Sequence, residues 1–172
     1  MHLSDTFKAW LKDLENRVAF LEKKPTAQIK MSKLEKTWAH FFDLAGWQWI
    51  HKPVTNERWQ PTFYLRFDCG HSECGDNHEL YVLVSHQEER CCPDIFHDLG
   101  LIESDRLFGE PCLAVFGKKP SATCWYMSHG AGGGIYSVVE WQGQYDSEEL
   151  WKKAVEMTDK EYSVPKKASC AA

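Results

Sequence analysis

No stretch of this 172-residue chain approaches the roughly 18 uninterrupted apolar residues of a membrane span. No apolar signal core follows Met1, where the residues are polar and charged, so a cytoplasmic location and no membrane partner are expected. Basic charge is not in excess either: 20 Lys and Arg stand against 25 Asp and Glu, a net charge of −5 with His neutral. That excludes coating of nucleic acid by bulk electrostatics and leaves room only for a local basic groove. Neither polarity nor charge density is extreme, at 43% hydrophobic and 26% charged residues, which excludes a disordered or collagen-like chain. No internal repeat is visible, and the length suits one domain rather than two.

Tryptophan and cysteine are what the chain has in quantity. Eight Trp residues predict a well-filled core and an aromatic contact surface. Seven Cys is an odd number, and with no signal segment the expectation is free thiols first, metal ligation second and disulfides last.

Residues 3–23 carry Leu3, Phe7, Trp10, Leu14 and Leu21 at steps of four and three, interrupted at Arg17 with Val18 beside it. The spacing is that of a heptad seam, and equally that of an amphipathic helix packed on its own domain. Phe7 and Trp10 are costly to leave in water, so the domain or a second copy must cover them; a homodimer through residues 1–24 is expected. Pro25 stops this helix and residues 25–31 read as a linker. The main domain is expected over 32–158 and a flexible tail over 159–172.

Inside the domain, Ser32 and Glu35 have capping-box spacing. They predict a helix to Ala45 with Leu34, Trp38, Phe41, Phe42 and Ala45 on its core face and Gly46 as its stop. The period then shortens towards two. Strands are expected near 47–52, 62–67, 79–85, 112–117, 123–128 and 135–141, with turns at Pro53, 70–75, 118–120 and 130–134. A short helix near 93–98 and a last helix over 147–157, capped by Asp146, complete an α/β order with one sheet.

Three segments follow one another in a telling order. A Glu35-bearing helix ends in Phe41-Phe42-Asp43-Leu44-Ala45-Gly46; Trp59-Gln60-Pro61-Thr62-Phe63-Tyr64-Leu65 comes next; His78-Glu79-Leu80-Tyr81-Val82-Leu83-Val84-Ser85 is third. Together they resemble phage and prophage members of the PD-(D/E)XK nuclease superfamily, over about a third of the chain. The resemblance implies a restriction-endonuclease-like α/β core, a mixed sheet flanked by helices, here preceded by the N-terminal amphipathic or coiled-coil helix. It also implies a phage or mobile element as the source, and so a host cell's cytoplasm as the location.

The catalytic letters of that family are mostly missing. Its chemistry needs acidic oxygens to hold magnesium and a Lys beside the attacking water. Thr62 stands where the metal-binding Asp is expected, Leu83 at the carboxylate of the next strand and Ser85 at the Lys; only Glu35 matches, and the capping box already explains it. The expectation is a catalytically inactive descendant that binds a protein or nucleoprotein complex or nucleic acid. An inhibitor of a host defence complex, anti-CRISPR-like, is one such role. The alternative is a magnesium-dependent nuclease with relocated carboxylates, for which Asp68, Glu73 and Glu79 are the candidates. Glu79 and Leu83 share a strand face but stand about 13 Å apart along it, too far for simple substitution.

Two further groups of residues carry possible chemistry. Cys69-x-His71-x2-Cys74-x3-His78 places four soft or borderline donors in ten residues, which suits zinc, although the spacing is not that of the common paired motifs. A polar hairpin loop with reduced thiols is the preferred account, so no resident cofactor is expected; a zinc-stabilised interaction module is the third reading. Lys30, Lys33 and Lys36 form a basic run that suits phosphate contacts or a solvated helix face. Gly130-Ala-Gly-Gly-Gly134 lacks a phosphate-loop ending and precedes a strand, so it reads as a hairpin connection.

Overall fold

The computed structural model describes residues 30–55, 59–69, 74, 77–86, 111–129, 132–141 and 146–163. The expected N-terminal helix with Leu3, Phe7, Trp10, Leu14 and Leu21, the short helix near 93–98, and His71 lie outside the described residues.

Helix α1, Lys33–Ala45, starts at a reciprocal cap: the Glu35 N–H donates to Ser32 Oγ at 3.2 Å and the Ser32 N–H to Glu35 Oε2 at 2.6 Å. It stops at Gly46, whose φ of 73° is the left-handed conformation that only glycine adopts at no steric cost. The capping box and stop were both legible in the residue spacing, and the helix lies where they put it.

Six strands follow: β1 Gln48–His51, β2 Phe63–Phe67, β3 His78–Val84, β4 Cys112–Phe116, β5 Thr123–His129 and β6 Gly132–Tyr136. They form one sheet in chain order, antiparallel throughout except for the parallel pair β3–β4. A parallel neighbour requires a crossover connection, so the sheet is an antiparallel meander (β1–β3) joined by one crossover to a second meander (β4–β6). The fold is thus α/β with a mixed sheet, as expected at that level.

Alternation along the strands makes two apolar faces. Phe63, Leu65, Phe67, Leu80, Val82, Cys112, Ala114, Phe116 and Trp125 pack under α1 through Trp38, Phe41 and Phe42. Ile50, Tyr64, Tyr81, Leu113 and Val115 form a second buried cluster from the intervening strand positions. Trp38, Phe42, Phe63, Phe116 and Trp125 are fully buried, and their ring contacts make the first face the main core.

Helix α2, Ser147–Ser163, is capped by Asp146 Oδ1, which accepts from the Glu148 and Glu149 N–H groups at 3.0 Å. It runs past its apolar pattern: 159–163, expected in the tail, are helical. The last turns are held on α1 by polar contacts that an apolar periodicity does not register. Lys33 meets Asp159 at 2.7 Å, Lys36 and His40 meet Glu161 at 3.4 and 3.0 Å, and the Tyr162 hydroxyl donates to the Met31 carbonyl at 3.4 Å.

The end of the sheet also differs from expectation. Gly132, Gly133 and Gly134 are strand residues paired with His129, Ser128 and Met127, because edge pairing uses backbone groups and needs no side chain. The segment expected to continue as a strand turns into a 3-10 helix at Val138–Trp141. Its Val138 N–H donates to Thr123 Oγ1 at 2.8 Å, which takes the group out of the ladder.

A hairpin turn after β4 fixes α1. The Trp38 indole N–H donates to the Gly117 carbonyl at 2.8 Å, and the Gly117 N–H to the Ala122 carbonyl at 2.7 Å. A Cβ on Gly117 would lie 2.7 Å from that carbonyl oxygen. Trp38→Phe should therefore lower unfolding stability by about 1–3 kcal/mol, for an orphaned buried carbonyl. Gly117→Ala should cost a similar amount, about 1–3 kcal/mol, through overpacking. Urea titration with an unchanged slope checks both; a midpoint equal to wild type would show that the turn does not anchor the helix.

Candidate functional site

The positions that match the nuclease pattern lie around the end of β1 and the start of β2. Thr62, just before β2 and 3% exposed, is tied on three sides. Its N–H donates to the Val82 carbonyl at 2.7 Å, its carbonyl accepts from the Lys52 N–H at 2.8 Å, and its hydroxyl accepts from the Val84 N–H at 3.1 Å. Leu83 packs against the second apolar cluster, and the Ser85 N–H continues the β3–β4 ladder to the Phe116 carbonyl. None of Thr62, Leu83 and Ser85 brings a carboxylate or a cation.

Glu35 reaches this region from the first turn of α1. Its Oε1 lies 3.7 Å from Lys52 Nζ and 3.8 Å from His51 Nε2, while Oε2 takes the Ser32 N–H. Burial, the largest single influence, raises the Glu35 carboxyl. The hydrogen bonds to Ser32 and the charges of Lys52 and His51 together outweigh it, so the group sits below its ordinary value of 4.5. His51 and Lys52 were not singled out from the sequence. The one local signal is that Lys52 precedes Pro53 at a strand end, and the rest of a helix and most of a strand lie between Glu35 and these two residues, which hides the contact. Lys52 holds a φ of 48°, which is uncommon for a side chain of its size and aims the chain back towards Thr62.

Chemically this cluster does not resemble a magnesium trap. A hard divalent cation needs several uncommitted oxygens of net negative charge. Glu35 offers one carboxylate that already faces an ammonium and an imidazole, and Thr62 offers a hydroxyl that already accepts a backbone hydrogen.

The relocated-carboxylate candidates divide. Glu73 lies outside the described residues. Glu79 pairs in register with Arg66 and accepts a hydrogen bond from the Tyr64 phenol. Burial first, and then that bond, push the phenol far above its ordinary 10.0. Asp68 follows β2 at the far end of the strand from Thr62. Of the basic run, Lys30 is exposed, whereas Lys33 and Lys36 face Asp159 and Glu161 of α2.

At that far end of β2 a different donor set comes together. The ligand atoms of Cys69, Cys74 and His78 all lie within 4.8 Å of one another, with Cys69 and His78 buried and Cys74 half-buried. Cys69, Cys74 and Cys112 carry reduced thiols. Cys124 departs from the expected reduced state and is held in a disulfide. Such a bond is set by Cβ atoms about 3.5–4.5 Å apart in the fold, which sequence spacing does not reveal.

No protein-family model matches the chain, and no curated protein or solved structure matches it either.

The Glu35 cluster has a definite pH signature. Because its carboxyl is depressed in the fold, its ionised form stabilises the protein above the ordinary value of 4.5, and that contribution is lost as pH falls through the folded value. Glu35→Gln should lower stability by on the order of 1 kcal/mol near neutral pH, and the gap to wild type should close under acid. Denaturation titrations at several pH values check this; a gap independent of pH would show that neither the Ser32 bonds nor the Lys52 and His51 charges favour the ionised carboxylate.

Proposed function

We propose that this chain is a catalytically inactive, nuclease-like binding protein from a phage or other mobile element. Its partner in this reading is a nucleoprotein complex of host defence, engaged through the complex's protein component. The observation that carries the loss of catalysis is the occupied state of Glu35 and Thr62. The carboxylate faces Lys52, His51 and Ser32, and the hydroxyl serves a backbone group. A restriction-endonuclease-like core is supported by the order of parts: a Glu-bearing helix, a three-stranded meander, then a strand parallel to the third. A protein contact is favoured over a phosphate stripe because Lys33 and Lys36 are already matched by acidic groups.

With magnesium or manganese, the purified protein should leave single- and double-stranded DNA and RNA intact. In a reconstituted cleavage reaction, it should inhibit an RNA-guided defence complex at stoichiometric amounts. Metal-dependent cleavage that disappears in Glu79→Ala or Asp68→Ala would replace this reading with the relocated nuclease.

Self-association belongs to the same reading and rests on Leu3, Phe7, Trp10, Leu14 and Leu21. Each such side chain gains roughly 1.5–3 kcal/mol on full burial, opposed by lost rotational freedom and by Arg17. Sedimentation at tens of micromolar should show a dimer that becomes a folded monomer when residues 1–24 are deleted. A monomeric full-length chain would place that helix on its own domain.

A further inference from the structure

We propose that Cys69, Cys74 and His78 bind one zinc ion that staples the loop end of the β2–β3 hairpin. β2 ends at Phe67 and β3 begins at His78, and these two residues are register partners, so the hairpin's last rung carries one of the donors. Cys69 leaves β2 two residues beyond that rung, and Cys74 returns from the connecting loop. Their thiols and the His78 ring nitrogen converge within 4.8 Å. Around a tetrahedral zinc with ligand bonds of about 2.0–2.3 Å, donor atoms stand roughly 3.4–3.8 Å apart, so the three need only close by about 1 Å.

The donor types select the metal. Two thiols and an imidazole are soft and borderline ligands, which suit zinc and disfavour magnesium or calcium. Burial points the same way. Two thiolates on a divalent cation make a neutral unit, which a site with Cys69 at 8% and His78 at 4% exposure accommodates better than separate charges. The Phe67 ring, 5.6 Å from the His78 ring, packs on one side of the imidazole and limits its swing. These three donors, the ones found among the described residues, leave a fourth position for a further ligand. The site lies at the opposite end of β2 from Thr62, so it stands independently of the nuclease-like reading.

The test uses the full chain, produced with zinc in the growth medium and purified under reducing conditions without chelator. Elemental analysis should find about one zinc per chain, and stripping it should lower the melting temperature. Titrating the stripped wild-type protein with cobalt(II) should produce a thiolate-to-cobalt charge-transfer band that saturates at one equivalent. Cys74→Ser should weaken zinc binding by at least about 100-fold, since even outer-shell partners of metal ligands are worth 10–100-fold. Absence of both the zinc and the cobalt band would overturn the proposal, as would undiminished zinc in Cys74→Ser. A Cys69–Cys74 disulfide found by mass spectrometry of the thiol-blocked protein would overturn it too.

Discussion

Trp38 sets the geometry on which the other elements depend. Its ring is fully buried and lies 4.4 Å from Trp151 of α2, 4.7 Å from Phe116 of β4 and 5.2 Å from Phe41 of its own helix, by centroid. Its one polar atom is aimed at Gly117, so the ring has a single orientation rather than a choice of several. Dispersion fixes how close α1 lies to the sheet, and the hydrogen bond fixes how α1 is turned about its axis. Glu35 stands three residues earlier and therefore one turn up the same side of the helix. The anchoring of Trp38 is what delivers the Glu35 carboxylate to the end of β1.

Features that depend on a few neighbouring residues were legible before any coordinates. The capping box at Ser32 and Glu35, the stop at Gly46, the Asp146 cap and the two-residue alternation of β2 to β5 are local, and each appears where the spacing puts it. Features decided by partners distant in the chain were not. The extra turns of α2 come from Lys33, Lys36 and His40, more than a hundred residues away, and exposed polar pairs leave no apolar period to read. The strand through Gly132 to Gly134 exists because β5 offers an edge to pair with, which overrides the poor strand propensity of glycine.

The sites divide by the same rule. Cys69, Cys74 and His78 lie close in sequence, so the motif was visible, but spacing alone does not distinguish a loop with scattered thiols from a preformed cage. The antiparallel rung between Phe67 and His78 makes the difference, because it returns the chain to within reach of Cys69. At the other end of β2 the decisive residues are His51 and Lys52, whose link to Glu35 runs through the packing of a helix on a sheet. Nothing in a linear pattern joins them.

Glu35 shows why one family-like carboxylate is weak support for catalysis. One of its oxygens closes the cap of α1 through the Ser32 N–H, and the other faces Lys52 and His51. Both contacts favour the ionised carboxylate, and neither requires a metal or a substrate. These two structural duties account for Glu35 by themselves, and neither Thr62 nor Leu83 adds a carboxylate beside it. Lys52 adds its charge to this arrangement. Its ammonium satisfies the charge that a hard cation would otherwise satisfy, and it is held there by a backbone that is itself bonded to Thr62. Ion-paired in this way, the end of β1 is a polar corner in which the Glu35 carboxylate already faces two cationic groups.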